Sequence, residues 1–145
     1  MEKTMKAVIK YDNVAGATEV REVPVPEIGP TDVLVRVAYI GVCGTDPHMH
    51  QNLVSFKMNV PLIFGHEFAG TIEKVGNEVK GYQEGDRVTA ETHADYCGEC
   101  ELCRTNQYPL CRDRKGYGFK AHGAFAKYVR VPARILHKVP ENVSL

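Results

Sequence analysis

The chain has 145 residues, and its 18 Lys and Arg balance 18 Asp and Glu, so the formal net charge is zero. That neutrality excludes the electrostatic footprint of a nucleic-acid or anionic-membrane binder and suits a small, neutral ligand. The length suits one domain, which at this size buries roughly 70% of its unfolded surface and can fold without disulfides.

Residues 5–11 (MKAVIKY) and 18–23 read as short strands joined by a turn over 12–16. Pro24, Pro26, Gly29 and Pro30 then break the pattern into a connector, because proline removes a backbone donor. Residues 32–38 alternate, with Val33, Val35 and Val37 on one face and Leu34 and Arg36 on the other, which predicts a strand. Residues 45–51 suit one or two helical turns capped by Thr45 or Asp46. Further strands are expected over 68–75, 86–91, 124–131 and 135–139. Many short strands punctuated by glycine indicate a barrel or sandwich.

The longest uncharged apolar run, residues 60–64, falls far short of the roughly 20 residues that span a bilayer, and residues 1–10 lack the apolar stretch of a signal peptide. A cytoplasmic protein with no membrane partner is expected. No dinucleotide fingerprint is present: Gly116, Gly118 and Gly123 have the wrong spacing and no flanking βαβ unit.

Four of the five cysteines form the pattern Cys97-x2-Cys100-x2-Cys103-x7-Cys111. In a chain without an export signal this spacing points to metal rather than disulfides, and four thiolates around tetrahedral zinc leave no vacancy, so the site is expected to be structural. It would order a polar excursion that has too few large apolar residues to pack alone. An iron–sulfur cluster is the rival, but the bacterial ferredoxin pattern places its fourth cysteine three residues on and before proline, whereas here the gap is seven and Arg112 follows.

The fifth cysteine lies in Gly41-Val42-Cys43-Gly44-Thr45-Asp46-Pro47-His48, and Gly65-His66-Glu67 follows about two dozen residues later. Together these segments offer a thiolate, an imidazole and carboxylates for a zinc ion that keeps one position open. Asp46 could hold the other nitrogen of a ligating histidine. Thr45 could take a proton from a bound alcohol, and His48 could pass it to solvent. The bland alternatives are a small buried hydrophobe for Cys43, a carbonyl-bonded ring for His66, helix caps for Thr45 and Asp46 and a solvated surface residue for His48.

Gly65-His66-Glu67-x2-Gly70-x5-Gly76-x2-Val79, with Cys43-Gly44-Thr45-Asp46 and the four-cysteine lobe in the same order, resembles the zinc-containing medium-chain alcohol dehydrogenases. Within them the chain is most similar to L-threonine 3-dehydrogenases and polyol dehydrogenases of the sorbitol type. The resemblance implies a mainly β fold, a GroES-like partly open β-barrel with a few short helices and a zinc-binding lobe, spanning residues 1–145. A Rossmann domain for NAD or NADP normally follows it and is absent from this chain.

Carried over, the resemblance makes Cys43 and His66 catalytic zinc ligands and Glu67 a ligand or close neighbour of the metal. Thr45 and His48 become the proton relay, His93 a residue facing the substrate, and Cys97, Cys100, Cys103 and Cys111 the structural site. A third protein ligand would lie roughly a dozen residues beyond Leu145, by the same resemblance. Two departures stand out: the stretch 50–56 lacks the tryptophans of the threonine enzymes, and His93 precedes Cys97 by four residues rather than three. The implied activity is NAD(P)-dependent oxidation of a small secondary alcohol by a homo-oligomer, with no turnover by these residues alone.

Overall fold

The structure is a computed structural model that describes residues 2–145. Ten strands dominate it: β1 (Thr4–Lys10), β2 (Thr18–Pro24), β3 (Asp32–Gly41), β4 (Leu62–Ile63), β5 (Glu67–Val75), β6 (Arg87–Ala90), β7 (His93–Asp95), β8 (Lys115–Gly116), β9 (Tyr128–Pro132) and β10 (Leu136–Lys138). Two short helices interrupt them, α1 (Thr45–His50) and α2 (Glu101–Arg104), with 3-10 turns at Tyr108–Leu110 and Ala133–Ile135. No helix among the described residues is long and apolar enough to cross a membrane.

The strands form a five-stranded sheet in the order β10-β6-β5-β3-β9, a three-stranded sheet β2-β1-β4 and a small pair β7-β8, curled into the partly open barrel that the motifs imply. Strand β3 is the hinge of this arrangement because both faces of its first half, Asp32–Val35, are buried. Val33 and Val35 point into the main core with Phe68, Ile72, Val88, Val129 and Val131. Leu34 points the other way, onto Met5, Ala7, Ile9 and Tyr128. Alternation therefore separates two cores rather than core from solvent, which is why a strand so central carries apolar residues on both faces.

A third cluster of Met49, Met58, Leu62 and Phe64 sits beneath α1. Met49 is the helix's one buried apolar side chain, and burying it is worth roughly 1.5–3 kcal/mol. Helix α1 is thus pinned by packing near its C-terminal end, and its start needs another partner.

Three elements differ from the sequence-based expectation. The strand expected over 124–131 begins only at Tyr128, since the Phe125 N–H turns to the Phe64 carbonyl and the Val8 N–H to the Phe125 carbonyl, bridging two sheets. Strand β7 pairs with β8 through only His93 and Asp95, a ladder too short to leave a periodic signal. Helix α1 has Gly44 at its N-cap position with no side-chain cap, so neither Thr45 nor Asp46 caps it.

Candidate functional site

Strands β3 and β5 run antiparallel, and their ladder ends with Gly41 opposite Glu67. Cys43 lies two residues past that pair on one strand, and His66 lies one residue before it on the other. Two register shifts bend this ladder, one with Glu73 of β5 as the extra residue and one with Ala38 of β3; they offset each other, so Gly41 meets Glu67 in the same register as Val33 meets Val75. The ladder therefore brings together residues that are twenty-three positions apart in the chain.

One ligand atom each from Cys43, His66 and Glu67 lies within 4.8 Å of the other two. Cys43 and His66 are half-buried and Glu67 is exposed, so the group sits at the surface end of the barrel with an open side. Gly65 precedes His66 with φ +93°, and a Cβ there would stand 2.3 Å from the Phe125 ring. The turn that presents His66 is consequently restricted to glycine on two counts.

Asp46 organises the group from below. Its Oδ2 accepts the Cys43 N–H at 2.9 Å, holding the thiol-bearing turn, and its Oδ1 lies 3.6 Å from His66 Nδ1. The residue is 4% exposed, and Oδ1 is a buried oxygen with no hydrogen-bond partner. Burial pushes this carboxyl above the usual carboxylate range, against the Cys43 N–H and the nearby His66, which favour its charged form. An unpartnered buried oxygen aimed at one ring nitrogen leaves His66 Nε2 as the nitrogen available to a cation, so the donor set fits a metal ion.

Thr45 Oγ1 lies 3.7 Å from Cys43 Sγ. His48 is exposed one turn further along α1, on the side that Thr45 shares at i and i+3 spacing. The sequence-predicted relay pair thus starts beside the thiol and ends in solvent.

His93 has different neighbours. Its Nε2 lies 3.5 Å from Glu91, its Nδ1 lies 3.5 Å from Arg114, and its ring meets Tyr108 edge-on at 6.1 Å. Burial and then the Arg114 charge hold its pKa below the ordinary histidine value, despite Glu91. The Tyr108 hydroxyl donates to Glu91 at 2.9 Å, so these side chains tie the base of the lobe to the barrel.

In the lobe itself, the four sulfurs of Cys97, Cys100, Cys103 and Cys111 all lie within 4.8 Å of one another. Three of the separations are 3.8 Å for Cys97–Cys103, 3.5 Å for Cys100–Cys103 and 3.6 Å for Cys111–Cys97. A tetrahedron with Zn–S bonds of about 2.3 Å has edges of about 3.8 Å, so the cradle has the size of one such ion. A cluster of several irons would hold its thiolates further apart.

Backbone N–H groups of Cys100 and Glu99 lower the Cys97 thiol to about 7. Burial and the adjoining sulfurs push Cys103 up to about 12. Four thiols this close cannot all ionise unless a cation shares their charge.

Gly41 is a functional position whose role the sequence reading did not identify. A Cβ there would stand 2.6 Å from Glu67 Oε2 and 3.2 Å from Glu67 Cβ, so only glycine leaves the carboxylate its place beside Cys43 and His66. The signal that could have found it is cross-strand pairing, which no single stretch of sequence displays.

Comparison with known proteins places this geometry in context. The chain is 41% identical over 139 residues to sorbitol dehydrogenase of Halalkalibacterium halodurans, covering 96% of this chain and 40% of that protein. It is 38% identical over 141 residues to L-threonine 3-dehydrogenase of Anaeromyxobacter sp. (strain K), covering 96% of this chain and 41% of that protein. The chain therefore spans about two fifths of the length of these relatives.

Among solved structures, a cobalt- and zinc-bound thermostable alcohol dehydrogenase from Pyrobaculum aerophilum superposes with a TM-score of 0.83 at 32% identity, over 96% of this chain and 42% of that one. A short chain alcohol dehydrogenase from E. coli CFT073, complexed with the cofactor NADH, superposes with a TM-score of 0.87 at 29% identity, over 99% of this chain and 40% of that one. Residues 29–141, which contain the Cys43, His66 and Glu67 group and the four-cysteine lobe, match the alcohol dehydrogenase GroES-like domain, and the chain belongs to that family.

Proposed function

We propose that the chain is the metal- and substrate-bearing part of a zinc-dependent, NAD(P)-linked alcohol dehydrogenase that oxidises a small secondary alcohol such as threonine or a polyol. The observation that carries this reading is the convergence of Cys43, His66 and Glu67 within 4.8 Å at the end of the β3–β5 ladder. The names of the sorbitol and L-threonine relatives, and the metals and NADH in the solved neighbours, support the same class.

In this reading Cys43 and His66 hold the catalytic zinc, with Glu67 as a further ligand or close neighbour. Zinc, when bound, acts as a Lewis acid that lowers the pKa of the alcohol hydroxyl toward neutrality. Asp46 keeps the His66 ring oriented through Nδ1, and its hold on the Cys43 N–H keeps the thiol beside the imidazole. Thr45 accepts the hydroxyl proton and passes it toward His48, whose exposed ring delivers it to water. A nicotinamide coenzyme, when bound, would supply the hydride acceptor, and its binding residues would come from the part of the full-length protein beyond the two fifths spanned here.

The four lobe cysteines hold a second, structural zinc. His93 faces the substrate only if the Glu91 and Arg114 contacts yield to it, so its role is that of a movable neighbour. The working enzyme is a cytoplasmic homo-oligomer.

The test is turnover by a protein of the relatives' length. It should reduce NAD or NADP with L-threonine or a polyol, and Cys43→Ala should abolish this while the lobe metal remains. The 145 residues alone should give no turnover. Wild-type turnover that survives Cys43→Ala would overturn the assignment.

A further inference from the structure

Lys10 is a charged side chain with no exposed surface at all, and the chemistry above makes no use of it. It lies at the end of β1, opposite Thr18 of β2 and Leu62 of β4. Its ammonium donates to the Val14 carbonyl at 2.6 Å and to the His50 carbonyl at 2.9 Å. Burial, set against the nearby Asp12, lowers its pKa, so its interior place is held by these two acceptors rather than by solvation.

His50 is the last residue of α1, the helix that carries Thr45, Asp46 and His48. The other late carbonyls of this helix have donors just beyond it: the N–H of Gln51 reaches Pro47, that of Asn52 reaches Met49, and that of Leu53 reaches His48. The His50 carbonyl receives no such bond and instead accepts from Lys10 and from the Gly16 N–H, also at 2.9 Å. The His50 ring completes the tie, its Nδ1 lying 2.9 Å from the Thr18 hydroxyl. Asn13, in the same turn, exchanges two hydrogen bonds with the backbone of Met58, fixing the segment that follows the helix.

The β1–β2 turn thus grips the far end of a helix whose near end is held by Asp46 against Cys43 and whose second-last residue, Met49, is buried beneath it. We infer that Lys10 is a positioning residue for alcohol oxidation: its ammonium anchors the C-terminal end of α1 so that Thr45 and His48 keep their places beside Cys43. The inference rests on the proposed function. An apolar residue of the same length would be easier to bury, and Lys10 is accounted for only by the carbonyls it satisfies. Without it, the end of α1 is held only by Met49 packing, the Gly16 N–H and the Thr18 hydroxyl, and the short helix can tilt and carry Thr45 away from the thiol. Displacements of about 1 Å at a reacting group cost on the order of 100-fold in rate.

The experiment compares wild type with Lys10→Met in a protein of the relatives' length. The expected result is a kcat about 10- to 100-fold lower with the alcohol KM changed by less than about threefold and zinc content unchanged. Amide exchange at Gln51, Asn52 and Leu53 should be about tenfold faster, with that at Val35 and Ile72 unaltered. A folded Lys10→Met protein with wild-type kcat, or with unchanged exchange at those three amides, overturns the inference.

Should Lys10→Met fail to fold, Thr18→Val loosens the same tie and is judged by the same exchange and kcat comparison, with smaller changes expected and no change overturning the inference. A wild-type protein that oxidises no secondary alcohol would defeat the functional reading instead. The exchange data would still show whether Lys10 holds the helix.

Discussion

Glu67 Oε2 stands 2.6 Å from the point that a side-chain carbon at Gly41 would occupy, on the strand directly opposite. The carboxylate uses space that only glycine leaves open. Gly41→Ala is therefore expected to keep the fold but push Glu67 out of the ligand group, weakening metal binding at this site by about tenfold or more. Competition with a chelator measures this, and an unchanged affinity would remove Glu67 from the proposed site.

Asp46→Ala removes the acceptor for the Cys43 N–H and the only carboxylate behind His66 Nδ1. Loss of such an outer partner typically costs about 10- to 100-fold in metal affinity, and that range is expected here with the lobe metal unaffected. Cobalt substitution and titration distinguish the two ions. Equal losses at both sites would mean that Asp46 acts on the whole fold.

Cys103→Ser opens the four-sulfur cradle. Residues 97–111 have no apolar core of their own beyond the buried Cys111, so the lobe should become susceptible to protease and the Tm should fall by on the order of 10 °C. The purified wild-type protein should be colourless and hold zinc in the lobe. Visible absorption from iron would contradict the assignment.

The pH dependence of stability has a contribution of known sign at Asp86. Lys138 at 2.9 Å, together with the Gln83 N–H, holds its carboxyl below the usual carboxylate pKa. A depressed folded pKa gives stability that is fully present above the unfolded value of about 3.9 and is lost as pH falls through the folded value. Lys138 is half exposed, so the pair contributes less than about 1 kcal/mol. Asp86→Asn should accordingly lower Tm slightly at pH 7 and leave it unchanged near pH 2, in thermal melts at both. An equal deficit at both pH values would show that charge plays no part.

The features legible in the chain were those written locally. The alternation of residues 32–38 marks β3, although both faces of its first half proved buried because that half divides two cores. The Cys97 to Cys111 spacing marks a cradle whose sulfurs do approach to tetrahedral-ion separations. What stayed hidden depends on pairing between distant segments. The two opposed bulges that bend the β3–β5 ladder, at Glu73 and at Ala38, are reported by no periodicity. The bend at 124–127 exists because the Phe125 backbone bonds sideways to Phe64 and Val8, competing with the strand that its alternation suggests. Asp46, plausible as a helix cap, spends one oxygen on the Cys43 N–H instead, which only the folded turn reveals.

Because the cross-strand register rather than the intervening chain aligns Cys43 with His66, the stretch from Gln51 to Pro61 is relieved of any duty to hold them together. Its exposed positions, such as Leu53 and Phe56, are free to vary, whereas Met58 is buried and tied to Asn13. Sequence change can thus accumulate at those exposed positions without disturbing the cation-binding geometry, and a chimera that exchanges residues 51–57 between relatives should keep the metal affinity of its host.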